Sequence, residues 1–180
     1  VALTVAAGLG VLDAARALGA QGAALDWPND VVLDGAKLAG VLVETRGLDP
    51  ATPAYVVGVG LNVAQRTFPP ELLLERPVTS LALAGVGASL PEVEAAVLEH
   101  LTRSLTRIGS DVAGLARDYL AAGRFQGLVS AATGQETLVG QILELDLDQG
   151  LLLETDTGRR RLPLDRLRRL EAAGRAPGAQ

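Results

Sequence analysis

Asp34-Gly35 sits between two apolar runs, Val31-Val32-Leu33 before it and the stretch from Lys37 to Glu44 after it. A dipeptide of this type supplies the positive φ angles that a tight turn demands, so the segment is committed to a β-hairpin. Just upstream, Trp27-Pro28-Asn29-Asp30 reads as a turn, because Pro removes a ladder donor and Asn and Asp bond back to nearby backbone. Residues 23–27 are a short apolar run of strand type leading into it. Tyr55 to Val63 reads as a further strand, interrupted by Gly58 and Gly60 at alternate positions. Glycine weakens a strand, so this pair points to the close approach of a backbone or a ligand.

The flanking segments carry a helical period. Val5, Leu9, Leu12, Ala15 and Leu18 recur at every third or fourth position over about residues 4–20, with Thr4 the expected cap and Gly19 the expected stop. Ser89-Leu90-Pro91-Glu92 is a capping box that opens a helix to about Ile108, with Val93, Val97, Leu101, Leu105 and Ile108 on one face. His100, in mid-helix among polar neighbours, is expected to be exposed. A further helix is expected from about Asp111 to Ala122. Near residues 123–127 the character changes to short strands with Gly turns, Thr137–Leu147, Gly150–Thr155 and Arg159–Leu162, which read as a small antiparallel barrel.

With 180 residues, 48% of them apolar, the chain can bury a core of one domain plus a small module. No apolar stretch reaches the roughly 20 residues of a membrane span without a Gly or a charge. The first segment carries Asp13 and Arg16 and lacks the basic start and cleavage site of a signal peptide. A cytoplasmic, non-membrane protein is the expectation. The absence of Cys excludes disulfides, thiolate metal sites and cysteine nucleophiles, and the single histidine, His100, excludes a His-rich metal site. A net charge of −5 gives no support for nucleic-acid binding. The chain has no Met, so truncation at the N-terminus is expected.

Chemistry concentrates in three segments: Trp27-Pro28-Asn29-Asp30, the hairpin arm from Lys37 through Gly40 to Glu44, and Gly58-Val59-Gly60-Leu61-Asn62-Val63. The first puts an aromatic ring, an amide and a carboxylate on one turn. The second brings an ammonium beside glycine. Of 16 basic residues 15 are Arg, and Lys37 is the single Lys. Arg replaces Lys on most surfaces but not where a compact ammonium is needed, which makes Lys37 the leading candidate. An ammonium next to exposed backbone donors suits a carboxylate or phosphate. The planar amide of Asn62 suits an adenine edge. Structural readings stand beside these: Trp27 as a core anchor, Asn29 and Asp30 as turn caps, Gly58 and Gly60 as packing relief.

In order and spacing the three segments resemble the biotin–protein ligases, which carry Trp-Pro-Asn-Asp, then Lys-Leu-Ala-Gly-Ile-Leu-Val-Glu after a hairpin turn, then Gly-x-Gly-x-Asn-Val. The resemblance covers nearly the whole chain and is strongest over residues 24–63. It implies an α+β fold, a mixed β-sheet with helices on one face of the class II synthetase-like kind, followed by a small SH3-like β-barrel. Residues 1–125 would be the catalytic domain without its N-terminal part, 126–172 the SH3-like domain and 173–180 a flexible tail. It also implies an AMP-forming ligase that uses ATP and Mg²⁺ to turn biotin into biotinyl-5′-adenylate. Biotin would then pass to a lysine of a biotin carboxyl carrier protein domain.

By the same resemblance, Lys37 would bind the biotin carboxylate and the adenylate phosphate, stabilising charge rather than acting as a base. Asn29 and Asp30 would lie at the nucleotide phosphates, with Asp30 at the Mg²⁺. Gly40 would line the biotin pocket, Gly58 and Gly60 would let the adenylate lie against the sheet, Asn62 would contact adenine, and Trp27 would belong to the same binding set. Homodimers through sheet edges occur in such proteins. There are two departures. The family's usual Lys before Trp-Pro-Asn-Asp is Asp26 here, an anion near phosphates that calls for an Arg from elsewhere or an outward orientation. The loop that closes over biotin in the family lies upstream of Val1. The competing readings are a ligase-like relative with impaired ATP affinity or a lipoyl-type substrate, and a non-catalytic biotin- or carrier-binding module.

Overall fold

The computed structural model describes residues 1–46 and 53–174. Helix α1 (Ala2–Ala17) leads into an antiparallel meander, β1 (Ala23–Asp26), β2 (Asp30–Leu33), β3 (Ala36–Arg46) and β4 (Ala54–Leu61), which lie in that spatial order. Short α2 (Pro70–Glu75) follows, then α3 (Leu90–Thr106), a 3₁₀ turn and α4 (Val112–Ala122). Strands β5 (Leu128–Thr133), β6 (Thr137–Asp146), β7 (Gly150–Thr155), β8 (Gly158–Leu162) and β9 (Leu167–Ala172) form a second antiparallel sheet, ordered β8-β7-β6-β5-β9.

The hairpin forms where the turn chemistry puts it. Asp34 has φ 51° and Gly35 φ 84°, and Leu33 pairs with Ala36 across them. The mixed character expected of the first sheet is confined to single parallel bridges, Leu25 to Gly123 and Lys37 to Val78, while its ladders are antiparallel. The five-stranded sheet fits the expected SH3-like unit. Strands β5 and β9, which have no turn dipeptide to mark them in the sequence, pair with each other, and β5 also pairs with β6 at the centre of the sheet.

Helix α1 begins before Thr4. The Val5 N–H bonds back to Val1 O at 3.0 Å, so Thr4 lies within the first turn and caps nothing. Gly19, with φ +116°, ends the helix as expected. The helix is buried on nearly every side, because it packs on β1, β2 and β3 with one flank and on α3 and α4 with the other. Small residues make this possible. A Cβ on Gly10 would fall 2.7 Å from Leu101 Cα, so the α3 backbone closes directly onto α1. His100 is half-buried rather than exposed, since its carbonyl faces Gly10 at this crossing.

Three aromatic rings close the seam between the helical layer and the second sheet. Trp27 and Tyr119 meet edge-on with centroids 5.9 Å apart, and Tyr119 stacks on Phe125 at 6.0 Å. Trp27 Nε1 donates to Leu167 O at 3.1 Å, and Tyr119 Oη donates to Pro28 O at 3.1 Å. Of the expected flexible tail, Ala173 is tied down by its N–H to Leu128 O at 2.7 Å, and residues 175–180 lie outside the described part. Among the described residues no helix is long and apolar enough to cross a membrane.

Candidate ligand-binding site

Side chains alternate across a sheet, and residues directly opposite one another share a face. Asp26 lies opposite Asp30, Asp30 opposite Gly40, Gly40 opposite Gly60 and Leu42 opposite Gly58. These residues therefore occupy one face, while Val41 and Val59 point to the helical side and pack against the core. The open face is nearly bare of side chains where β3 meets β4. A hollow of about 470 Å³ lies there, lined by Asn29, Lys37, Gly40, Leu42, Gly58 and Gly60.

The glycines do different work. A Cβ on Gly60 would meet nothing closer than 3.9 Å, and one on Gly58 nothing closer than 3.7 Å. Internal packing requires neither, and their effect is to leave backbone uncovered. A Cβ on Gly40 would fall 3.0 Å from both Asp30 Oδ1 and Lys37 Nζ. Gly40 is bare because charged groups fill the space beside it.

Those groups form a cluster of alternating sign. Lys37 Nζ lies 2.7 Å from the buried Oδ1 of Asp30, close enough to pair yet without the alignment of a directed hydrogen bond. The directed bond to Asp30 comes from Arg76, whose guanidinium donates to Oδ2 and also lies 3.9 Å from Asp26 Oδ2. Arg76 reaches this place because the chain after α2 docks along Lys37. The Lys37 N–H bonds to Pro77 O at 2.8 Å, and the Thr79 N–H to Lys37 O at 2.9 Å. Below the cluster, burial pushes the Tyr119 phenol up, and the charges on Asp26 and Asp30 push it the same way, so it stays a neutral donor.

Most of the residues singled out in the sequence meet at this hollow. Asn29 lines it and is locked by two bonds, Nδ2 to Val41 O at 2.7 Å and the Val41 N–H to Asn29 O at 2.8 Å. Lys37, Gly40, Gly58 and Gly60 line it, and Asp30 lies beside it, paired with Lys37. Two candidates lie elsewhere. The Trp27 ring is buried in the aromatic seam against Tyr119 and donates to Leu167, which is the core-anchor role. Asn62 is half-buried beyond the rim, where Nδ2 donates to Thr79 O at 2.9 Å and holds the returning chain. Arg76 was not found from the sequence. It has no motif around it, and the one cue was that Asp26, placed near phosphates, calls for a cation from elsewhere.

The geometry has counterparts. Residues 2–62 match the model of the biotin/lipoate A/B protein ligase family. A biotin–[acetyl-CoA-carboxylase] ligase of Mycobacterium tuberculosis is 39% identical over 148 residues, covering 64% of this chain and 52% of the relative. The bifunctional ligase/repressor BirA of Escherichia coli is 29% identical over 163 residues, covering 87% of this chain and 49% of that protein. The chain thus spans about half the length of these relatives. Among solved structures, the apo biotin protein ligase of Aquifex aeolicus superposes with a TM-score of 0.76 at 23% identity, over 96% of this chain and 75% of that one. The same Aquifex protein in complex with biotin and ATP gives a TM-score of 0.76 at 24% identity, over 96% and 72% of the two chains. Residues 2–62 thus match the biotin/lipoate ligase family model, and the fold of the described residues is that of the biotin protein ligase structures.

Proposed function

We propose that the chain forms the nucleotide- and biotin-facing sheet and the C-terminal unit of a biotin–protein ligase, with residues 1–125 catalytic and 126–172 an SH3-like domain. The observation that carries this reading is Lys37, the single lysine, beside a stretch of sheet stripped to glycine backbone. An ammonium there meets two needs. It holds the biotin carboxylate against the α-phosphate of ATP, and it stabilises the charge that builds as the carboxylate oxygen attacks phosphorus and pyrophosphate leaves. The amine of a carrier-domain lysine then attacks the acyl carbon of the mixed anhydride, and AMP departs. No enzyme side chain is acylated. The bare backbone at Gly58 and Gly60 lets a flat adenylate lie close, and Asn29 is held rigid at the edge of the same hollow.

Asp30 does not fit the role of a magnesium ligand. Both its oxygens already face cations, Lys37 and Arg76. Magnesium enters this reading bound to the triphosphate. Biotin-dependent exchange of labelled pyrophosphate into ATP, run on the full-length protein, tests the reading. Lys37→Ala should cut exchange by about a hundredfold or more with the circular dichroism spectrum unchanged; undiminished exchange removes Lys37 from the mechanism. Asp26 favours a second reading, a relative with weakened ATP binding or a lipoyl-type acid, whose signature is exchange driven by lipoate and not by biotin.

A further inference from the structure

Lys37 reaches the open face only because β3 carries a bulge. The β2–β3 ladder pairs Asp30 with Gly40 and Val31 with Ala39, then shifts, so that Val32 faces Lys37 and Leu38 is the extra residue. Side chains alternate along a regular strand, and unbroken alternation would turn Lys37 to the side of Ala39 and Val41, into the core. Instead Leu38 and Ala39 are both buried in that core, at 0% and 1% exposure, and Lys37 lines the open hollow with Gly40. A bulge disrupts the ladder locally, so its position needs support from outside the pair of strands that forms it.

That support converges on Asn62. Its N–H donates to Leu38 O at 3.0 Å, its carbonyl accepts from the Leu81 N–H at 3.0 Å, and its Nδ2 donates to Thr79 O at 2.9 Å. The Thr79 N–H in turn donates to Lys37 O at 2.9 Å, and the Lys37 N–H donates to Pro77 O at 2.8 Å. Any residue but proline can make the two backbone bonds at position 62. The bond to Thr79 is the one that calls for a side-chain donor. Resting on the ligase reading above, we infer that Asn62 is a positioning residue for Lys37. Through Thr79 it holds the return over residues 77–81 against the bulge, and the bulge holds the ammonium at the open face where the biotin carboxylate is received. Asn62 acts on biotin through Lys37 and does not touch it.

The test uses the full-length protein and titrates biotin in the absence of nucleotide, so that no contact to adenine or phosphate enters the result. Thermal melts confirm that each variant is folded. Asn62→Ala should weaken biotin binding by about tenfold, the worth of one hydrogen bond transmitted to the ammonium. Asn62→Leu, which keeps a branched side chain without the donor, should lose as much. The deciding measurement repeats Asn62→Ala in a Lys37→Ala background. There it should change biotin affinity by less than about twofold, because the group it positions is gone. An equal loss in both backgrounds overturns the proposal, since Asn62 would then shape the pocket independently of Lys37. An Asn62→Ala protein that binds biotin as the parent does overturns it too, and leaves the ligase reading standing. A parent protein that does not bind biotin sinks the ligase reading and this inference with it.

Discussion

At the scale of single residues, the glycines of the open sheet separate packing from binding. Gly40 abuts a charge pair, whereas a Cβ on Gly60 would meet only Gly40 O at 3.9 Å, although the two lie directly opposite each other in the ladder. Gly60→Ala should therefore leave stability within about 0.5 kcal/mol of the parent while weakening adenylate binding, because its methyl would project into the surface proposed for the ligand. Gly40→Ala should do both kinds of damage, since its Cβ would press on Asp30 Oδ1 and Lys37 Nζ at 3.0 Å. Urea midpoints paired with titration of biotinyl-adenylate decide the matter. If Gly60→Ala binds as tightly as the parent, the bare backbone is not the ligand surface. Lys37 and the glycines were legible in the sequence because the turn chemistry and strand alternation around them are local. Arg76 was not, and the sequence left Trp27 between core anchor and binding set, because their partners lie far along the chain: Asp30 is 46 residues from Arg76, and Leu167 is 140 residues from Trp27.

At the scale of elements, the position of the site depends on how closely α1 approaches its neighbours. The helix supports β3 from behind, and β3 carries Lys37 and Gly40 on the other side. A helix buried on nearly every flank needs small residues where backbones meet, and Gly10 is that point. Gly10→Ala should cost about 1–3 kcal/mol through overpacking against the α3 backbone, seen as a lower urea midpoint at constant slope. Gly8→Ala is the control. Its Cβ would meet Leu25 Cδ2 at 3.4 Å and Tyr119 Cε2 at 3.9 Å, which are side-chain atoms, and alanine favours helix by about 1 kcal/mol over glycine. Equal losses for the two variants would show that the α1–α3 approach is not backbone-limited. The helical period of α1, and the capping box and period of α3, identified these helices but could not show that α1 is buried on both flanks. Such burial follows from the layer order, with the sheet on one side and α3 and α4 on the other.

At the scale of the whole molecule, the aromatic seam links the layer that carries the site to the second sheet. Trp27 and Pro28 begin the turn that places Asn29 and Asp30, and Trp27 is anchored to Leu167 of β9 while Pro28 receives the Tyr119 hydroxyl. The turn of the proposed site is thus held from behind by contacts that reach across both sheets. Tyr119 gives this coupling a pH signature. Burial, aided by the charges on Asp26 and Asp30, raises its phenol in the folded state, while in the unfolded chain it ionises near about pH 10. The unfolded state therefore loses the proton first as pH rises. Stability contributed by Tyr119 is complete below about pH 10 and declines as pH climbs beyond it. Tyr119→Phe should cost about 1 kcal/mol at neutral pH through the lost bond to Pro28 O, and it should flatten the decline in stability above about pH 10. Urea midpoints between neutral pH and about pH 11, followed by the fluorescence of Trp27, measure both effects at the seam itself. A Tyr119→Phe protein with an alkaline slope as steep as the parent's would show that the seam opens before the phenol ionises, so that the two sheets do not unfold as one unit.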